Sequence, residues 1–321
     1  MTGIEHGGRI DCAIAVYGGT RAKWLDLSTG INAHSYPLPH LDLTVWKELP
    51  DCEAESKLLA AARIFWNVPN RFDIVVSPGT SALIAAIPRL MHKGSVQILS
   101  PTYGEHATAF RQSGWQVAEI SAWRESCDMA VVVNPNNPDG RVHSVASFPP
   151  ALMIVVDESF ADAMPGVSVL SEAMPDNMIV LKSFGKFWGL AGLRLGFAIC
   201  PSGVANPLKA MLGPWAVSGP ALAIATKALS DLSWRNAEIG RLQLASSRLQ
   251  ELLIKIGFEI VGGTPLFTLV KSADAAHIHH ELARSHILIR KFSYRPDLLR
   301  FGLPGREQDW QRLVQVLGTL Q

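Results

Sequence analysis

Cysteine is scarce in this chain of 321 residues: the four present, Cys12, Cys52, Cys127 and Cys200, stand far apart and form no Cys-x-x-Cys pair. That pattern builds neither a disulfide framework nor a cysteine zinc site, so free thiols in a reducing compartment are the expectation. An excess of either charge is equally lacking, with 29 Lys plus Arg against 28 Asp plus Glu. Without a basic excess to meet a phosphate backbone, nucleic acid is excluded as the expected partner. Long hydrophobic runs are missing too. Stretches such as Met129 to Val133 and Ala151 to Val156 fall far below the roughly 20 residues that cross a bilayer. Near the start, Glu5, His6, Arg9 and Asp11 occupy positions where a signal peptide needs an unbroken apolar core. A cytoplasmic protein without membrane contact is therefore expected.

What is present is an ordinary globular mixture, 48% hydrophobic and 18% charged, at a length that suits about two domains. From residue 53 to 200, short apolar runs alternate with helical patterns. Strands are expected at Ile74 to Ser77, Val96 to Ser100, Gln116 to Ile120, Ala130 to Val133, Met153 to Asp157, Ile179 to Lys182 and Leu195 to Ile199. Helices are expected at Glu53 to Trp66, Ser81 to Leu90 and Gly104 to Gln112. This alternation predicts an α/β fold with a mostly parallel seven-stranded sheet. Residues 219 to 256 carry two long helical segments, and a smaller α+β domain follows. The expected division is an N-terminal arm over 1–36, a large domain over 37–214 and a small C-terminal domain over 215–321. Gly213-Pro214 and Gly219-Pro220 bracket the expected hinge.

Four strand exits carry the residues suited to chemistry. Ser183-Phe-Gly-Lys186 continues through a glycine-rich stretch to Arg194. A lysine there can form a Schiff base, and the hydroxyl with the guanidinium can hold a phosphate. Lys182 is a competing lysine, and a turn bearing a solvated lysine would look the same. Val155-Val156-Asp157-Glu158 ends a hydrophobic strand in two carboxylates. An acid placed there faces the crevice where α/β sheets bind ligands. It can keep a heteroaromatic nitrogen protonated, though a Mg²⁺ site or a simple helix cap is equally compatible. Asn134-Pro-Asn136-Asn137-Pro-Asp-Gly140 fixes the backbone so that an amide, Asn137 above all, faces the same side. Gly79-Thr80-Ser81 opens a helix whose free N–H groups suit an anion, and Ser and Thr are also common N-caps. Tyr103, just past the next strand, can stack on a flat ring. His106, His277, His279 and His280 lack metal spacing, and no metal is expected.

Taken together, Gly79, Thr80, Ser81, Tyr103, Asn137, Asp157, Ser183, Lys186 and Arg194 resemble, in order and context, the fold type I pyridoxal-phosphate enzymes of the class I/II aminotransferase superfamily. The resemblance covers nearly the whole chain. It implies pyridoxal 5'-phosphate as cofactor, with Lys186 forming the Schiff base, Asp157 pairing with the pyridine nitrogen and Asn137 bonding the ring oxygen. It further implies that Tyr103 stacks on the ring, and that Gly79, Thr80, Ser81, Ser183 and Arg194 hold the phosphate. A homodimer follows from the same resemblance.

The ends of the chain narrow the group. His6-Gly7-Gly8 followed by Leu25-Asp-Leu-Ser-Thr-Gly-Ile-Asn32, with Ile287-Leu-Ile-Arg290 and Leu299-Arg300-Phe-Gly, resembles the threonine-phosphate decarboxylases of cobalamin biosynthesis. Histidinol-phosphate aminotransferases are close to that group. The resemblance implies a small phosphorylated amino acid as substrate, with Arg300 on its α-carboxylate, Arg290 and His6 on its phosphate, and Asn32 among the substrate residues. An aminotransferase of the histidinol-phosphate type, or a non-catalytic partner in cobinamide assembly, shares the same core. Two departures stand out. Phe160 replaces a tyrosine that aminotransferases use on the ring oxygen, as the decarboxylases also do. Leu49 stands where relatives often carry a tyrosine that reaches the partner subunit's cofactor phosphate.

Overall fold

Short, β-branched apolar runs bounded by glycine and proline set the framework. In the computed structural model, which describes residues 6–171 and 174–320, the chain opens with α1 (Ile10–Tyr17), β1 (Leu25–Leu27), α2 (Thr44–Lys47) and α3 (Cys52–Phe65). There follow β2 (Asp73–Ser77), α4 (Thr80–Ala86), β3 (Ser95–Leu99), α5 (Glu105–Gln112), β4 (Gln116–Ile120), β5 (Cys127–Val133), β6 (Ala151–Asp157), β7 (Met178–Ser183) and β8 (Gly196–Cys200). The remainder comprises α6 (Ser202–Leu212), α7 (Gly219–Ser230), α8 (Leu232–Ile256), β9 (Glu259–Thr264), β10 (Phe267–Lys271), α9 (Ala275–Arg284), β11 (Ile287–Lys291), β12 (Leu298–Gly302) and α10 (Glu307–Gly318).

Two compact units result. The larger consists of Ser35–Asn137 with Arg141–Ala237, and the smaller of the other described residues. In the larger, the seven strands lie in the order β2-β8-β7-β6-β5-β3-β4. They are parallel except β8, which runs antiparallel to both β2 and β7. Val96, Ile98, Met129, Val131, Val155, Ile179 and Leu181 are all buried and pack with Leu83 of α4 and Phe110 of α5. Each such side chain contributes about 1.5–3 kcal/mol relative to exposure. All seven expected strands are present, displaced by at most a few residues at their ends. The helix expected over Ser81 to Leu90 is shorter: α4 stops at Ala86 and tightens to a 3₁₀ turn over Ile87–Arg89. Pro88 lacks the N–H that would continue the α-helical ladder.

The smaller unit holds a five-stranded sheet, β1-β11-β12-β10-β9, parallel only between β1 and β11. Its composition differs from the expected division in two respects. Of the arm expected over 1–36, residues 1–5 lie outside the described residues, and 6–34 belong to this unit. Here β1 extends the sheet, while Ile10 and Ala13 of α1 bury themselves against Trp24 and Ala283. The second difference lies after Gly213: the division falls past Ala237, inside α8, rather than at 214/215. Helix α7 buries Leu222, Ile224, Ala225, Ala228 and Leu229. At its start, a Cβ on Gly219 would sit 2.4 Å from the Val45 carbonyl oxygen. Gly219-Pro220 therefore starts a packed helix, with Pro220 in its first turn, while Gly213 caps the end of α6.

Candidate active site

The chemistry-bearing residues of the larger unit gather at one edge of its sheet because of strand register. Ser77 and Ser183, the last residues of β2 and β7, both pair with Gly196, the first of antiparallel β8. One strand inward, Asp157 at the end of β6 pairs with Leu181 of β7 and with Val133 of β5. The Gly79-Thr80 turn, Ser183, Asp157 and the loop after Val133 thus leave the sheet together. Close approach is built in by glycine. A Cβ on Gly196 would lie 2.4 Å from the Thr80 nitrogen, and one on Gly79 would lie 2.6 Å from Arg194 Nη2. Gly79 has φ +86° and Arg194 φ +53°, both left-handed. Ser77 Oγ, buried beneath, donates to the Gly79 carbonyl at 3.0 Å. The guanidinium rests against a bare backbone at the opening of α4, an arrangement suited to an anion.

Asp157 is buried at this edge, 2% exposed. Its Oδ2 accepts from His106 Nε2 at 2.9 Å. Its Oδ1 accepts from the Ser159 N–H at 3.0 Å and from Ser159 Oγ at 2.5 Å. Burial alone raises this carboxyl, but the His106 bond and charge, with both Ser159 bonds, outweigh it and hold Asp157 below the usual carboxylate range. A carboxylate so held can receive a hydrogen bond from a cationic heteroaromatic N–H. Tyr103 lies edge-on to His106, with ring centroids 6.1 Å apart. Its phenol is pushed up to about 12 by burial first, then by Glu105 and Asp157, against the opposing pull of Arg194. It therefore stays neutral, an apolar face with a polar tip.

After β5, two of the three asparagines serve the loop itself. Asn134 Nδ2 donates to the Val167 carbonyl while its Oδ1 accepts from the His143 N–H. Asn136 Oδ1 accepts from Thr102 Oγ1, and its Nδ2 donates to the Pro101 carbonyl. Both side chains are buried, and Asn137 follows them, half-buried.

The two lysines of β7 and its exit occupy opposite environments. Lys182 is 1% exposed; its Nζ lies 2.5 Å from Glu158 Oε2 and 3.6 Å from Asp162 Oδ1. Burial lowers it, yet the charges of Glu158 and Asp162 prevail and raise it, so this lysine stays an ammonium. Ser168 Oγ and the Val169 N–H complete Glu158, and Trp66 Nε1 donates to Asp162 Oδ1 at 2.9 Å. A cation sealed in this way is no nucleophile. Lys186 stands in a loop whose neighbours are locked: Phe184, Phe187 and Trp188 are buried, and Trp188 stacks between Phe184 and Trp234 at 5.1 and 5.2 Å. With its flanks anchored, Lys186 is half-buried, its Nζ 5.6 Å from the centre of the Phe160 ring.

The smaller unit holds the remaining candidates. Arg300 of β12 pairs across the sheet with Arg290 of β11, so two cations are neighbours. Arg300 is buried over the Phe267 ring, 4.7 Å from its centre, and Nη2 donates to the Ser28 carbonyl at 3.0 Å. Burial above all, with the charge of Arg290, pulls its guanidinium down to about 9. Such a cation suits an incoming anion. Asn32 is 2% exposed; its Nδ2 donates to Glu238 Oε1 at 2.7 Å, and its Oδ1 accepts from the His34 N–H and Arg241 Nη2. It is held in a network of side chains. His6, half-buried, precedes Gly7 and Gly8, which lie against Ser28.

Sequence reasoning passed over His106 after finding no metal spacing. The available clue is position: His106 comes three residues after Tyr103, in the first turn of α5, and a histidine there lies above the strand-end acid. Ser159, two residues beyond Asp157, is a similar local partner. No short motif marks Asp162, because Trp66 and Lys182 reach it from other elements.

Comparison with known proteins gives a consistent picture. The chain is 40% identical to a threonine-phosphate decarboxylase from Pseudomonas aeruginosa, over 98% of this chain and 97% of that one. A threonine-phosphate decarboxylase from Sinorhizobium is 39% identical over 99% and 98%. Among solved structures, a histidinol-phosphate aminotransferase from Sinorhizobium meliloti in complex with pyridoxal-5'-phosphate superposes with a TM-score of 0.81 at 16% identity, covering 100% of both chains. Residues 37–317 match the model for aminotransferase class I and II. With the sheet order, the strand-end acid and the two contrasting lysines in place, the chain belongs to the aminotransferase class I and II family.

Proposed function

We propose that this protein binds pyridoxal 5'-phosphate and decarboxylates L-threonine O-3-phosphate to (R)-1-amino-2-propanol O-2-phosphate, a step of cobalamin biosynthesis. The observation that carries the chemistry is the contrast between the lysines: Lys182 is sealed in an ion pair in the core, and Lys186 stands half-buried at the edge that bears the ionised Asp157. The choice of substrate rests on the two decarboxylases at 40% and 39% identity over nearly the whole chain.

The residues fit the cofactor. Arg194, Ser183 and the Gly79-Thr80-Ser81 turn would hold its phosphate, the Arg194 guanidinium being seated against Gly79 where any Cβ would collide with it. Asp157, kept anionic by His106 and Ser159, accepts from the ring nitrogen and retains its positive charge. Asn137 donates to the ring oxygen, and Tyr103 covers the ring. Phe160 adds no hydroxyl, so the ring oxygen has one donor fewer than in a tyrosine-bearing site. When bound, the cofactor supplies an aldehyde for amine capture and an electron sink for the bond broken at Cα. Lys186 Nζ would hold the cofactor in the resting enzyme and, when not engaged with it, could carry a proton at the substrate Cα. Arg300 pairs with the α-carboxylate, Arg290 and His6 take the substrate phosphate, and Asn32 lines the same substrate region. Fixing both ends of the substrate sets which Cα bond is aligned to break, so orientation selects decarboxylation over transamination.

The same reading makes the chain a homodimer working in the cytoplasm. Leu38, Leu43, Trp46 and Leu49 are all exposed within one short segment, an apolar surface of the kind a second copy covers. The division into an N-terminal arm, a cofactor domain and a small C-terminal domain is retained as a functional one, the arm bringing His6 to the substrate.

The test is a reconstitution with pyridoxal phosphate. An aldehyde-lysine absorption band that Lys186→Ala removes, with CO₂ released from L-threonine O-3-phosphate in the absence of any oxo acid, is the expected result. The same band with no CO₂, but with glutamate formed from 2-oxoglutarate and an amine donor, would make the protein an aminotransferase. Absence of both activities with intact cofactor binding would leave a non-catalytic role.

A further inference from the structure

Ser28 lies one residue beyond the Leu27–Ile289 pair that ends β1, on the row of the sheet that continues into the Arg290–Arg300 pair. It is 2% exposed, and each of its polar groups is committed. Its N–H and its Oγ both donate to Asp26 Oδ1, at 2.9 and 2.6 Å. Because the hydroxyl proton is spent on that carboxylate, the oxygen presents a lone pair, and the Gly8 N–H donates to it at 2.7 Å. The Ser28 carbonyl accepts from Arg300 Nη2 at 3.0 Å. One residue therefore grips the N-terminal segment with its side chain and the buried guanidinium with its backbone.

The segment is shaped for this seat. A Cβ on Gly7 would stand 2.4 Å from the Ser28 carbonyl oxygen and 2.9 Å from its carbon, so any other residue must lift the backbone away. Gly8 has φ +80°, a conformation that side chains rarely adopt. Across the sheet, a Cβ on Gly302 would meet the Thr29 carbonyl oxygen at 2.5 Å, so the strand bearing Arg300 lies just as close to the same loop.

From these contacts we propose that Ser28 is a positioning residue that couples the His6-Gly7-Gly8 segment to Arg300, setting the spacing between the groups that receive the two ends of a phosphorylated amino acid. The role rests on the reading of His6 and Arg300 as substrate residues. Its consequence is specificity. Loosening the seat weakens recognition of the phosphate end while leaving the carboxylate end in place, so the advantage of L-threonine O-3-phosphate over unphosphorylated L-threonine shrinks. Asp26 acts one step further back, orienting the Ser28 hydroxyl.

Two variants approach the seat from opposite sides. Ser28→Ala deletes the acceptor for Gly8 and keeps the carbonyl that holds Arg300; Gly7→Ala keeps every hydrogen-bonding group and adds the obstructing Cβ. Backbone amide exchange of the full-length holoenzyme, followed by mass spectrometry, reads the seat directly. Both variants should speed exchange at Gly8 by about fivefold to tenfold, the size of one net hydrogen bond, with exchange in β12 unchanged. Ser28→Thr, which restores the hydroxyl, should return it toward wild type. In the decarboxylation assay, KM for L-threonine O-3-phosphate should rise by a similar factor with kcat nearly constant, and the preference over L-threonine should fall. Unchanged Gly8 exchange in both variants would overturn the seat. Faster exchange with unchanged substrate preference would overturn the specificity role. A wild-type protein that turns over no phosphorylated amino acid fails the proposed function instead, and the exchange measurement still decides whether Ser28 seats the segment.

Discussion

Two buried cations, Lys182 in the larger unit and Arg300 in the smaller, are held in different ways. In the larger, each buried ionic group at the sheet edge meets an opposite partner: Lys182 sits with Glu158 and Asp162, and Asp157 with His106. In the smaller, Glu238 is paired with Arg241 and His34, while buried Arg300 lies over an aromatic ring and donates to a backbone carbonyl, with Arg290 as its cross-strand neighbour. An internally neutralised group is ready at all times, as a site for a permanently held cofactor requires. A cation that burial pulls down to about 9 gains from an arriving anion, which suits a ligand that comes and goes.

The largest expected effects separate the two lysines. Lys186→Ala should lower turnover by more than about 10²-fold with little change in unfolding, whereas Lys182→Met should strand Glu158 and Asp162 in the core. Breaking a buried pair costs about 3–5 kcal/mol, which a urea titration of the larger unit would record. If Lys182→Met left stability intact, the contrast drawn between Lys182 and Arg300 would fail.

Next comes Asp157. Its folded value lies below the ordinary carboxylate range, so its contribution is present above the open-chain value of about 3.9 and is lost as pH falls through the lower folded value. His106→Asn removes the principal lowering interaction, and acid unfolding should begin at a higher pH, with a loss of about 1–3 kcal/mol at neutral pH. Circular dichroism against pH checks the order of the two curves.

Arg300→Leu should act with the opposite sign. Since its folded value is near 9 against 12.5 in the open chain, the charged form is disfavoured in the fold at every lower pH, and at neutral pH that cost is fully present. Removing the charge should raise stability by about 1–2 kcal/mol while abolishing substrate binding. A destabilised Arg300→Leu protein would erase the distinction between the two cations. The smallest effect belongs to Phe160→Tyr, where a restored hydroxyl should slow cofactor dissociation by about twofold to tenfold, measured by loss of absorbance on dilution.

The large unit was legible in the sequence because its strands are buried on both faces and read as apolar runs, each ending in the residue that leaves the sheet. Gly79-Thr80-Ser81, Asp157, Ser183 and Lys186 could all be found in this way, since strand ends are where α/β sheets expose chemistry. The limits of the smaller unit were not legible. Gly213-Pro214 and Gly219-Pro220 read as hinge punctuation, yet Pro220 opens a buried helix, and only packing distinguishes the two uses. The ion pair that seals Lys182 was out of reach, because alternation along a strand does not say that Glu158 and Asp162 will close over it, and the choice of Lys186 rested on the family resemblance.

By itself, then, the sequence determined the order of strands and helices, the residues at each strand exit, and the resemblance that these compose. Such information is local, carried by periodicity and by glycine and proline at fixed offsets. Tertiary structure alone decided which residues share a charge or a hydrogen bond across long separations: His106 with Asp157, Lys182 with Asp162, and Ser28 with Arg300, 272 positions apart. Those pairings depend on sheet register and on desolvation, and both exist only once the strands have packed.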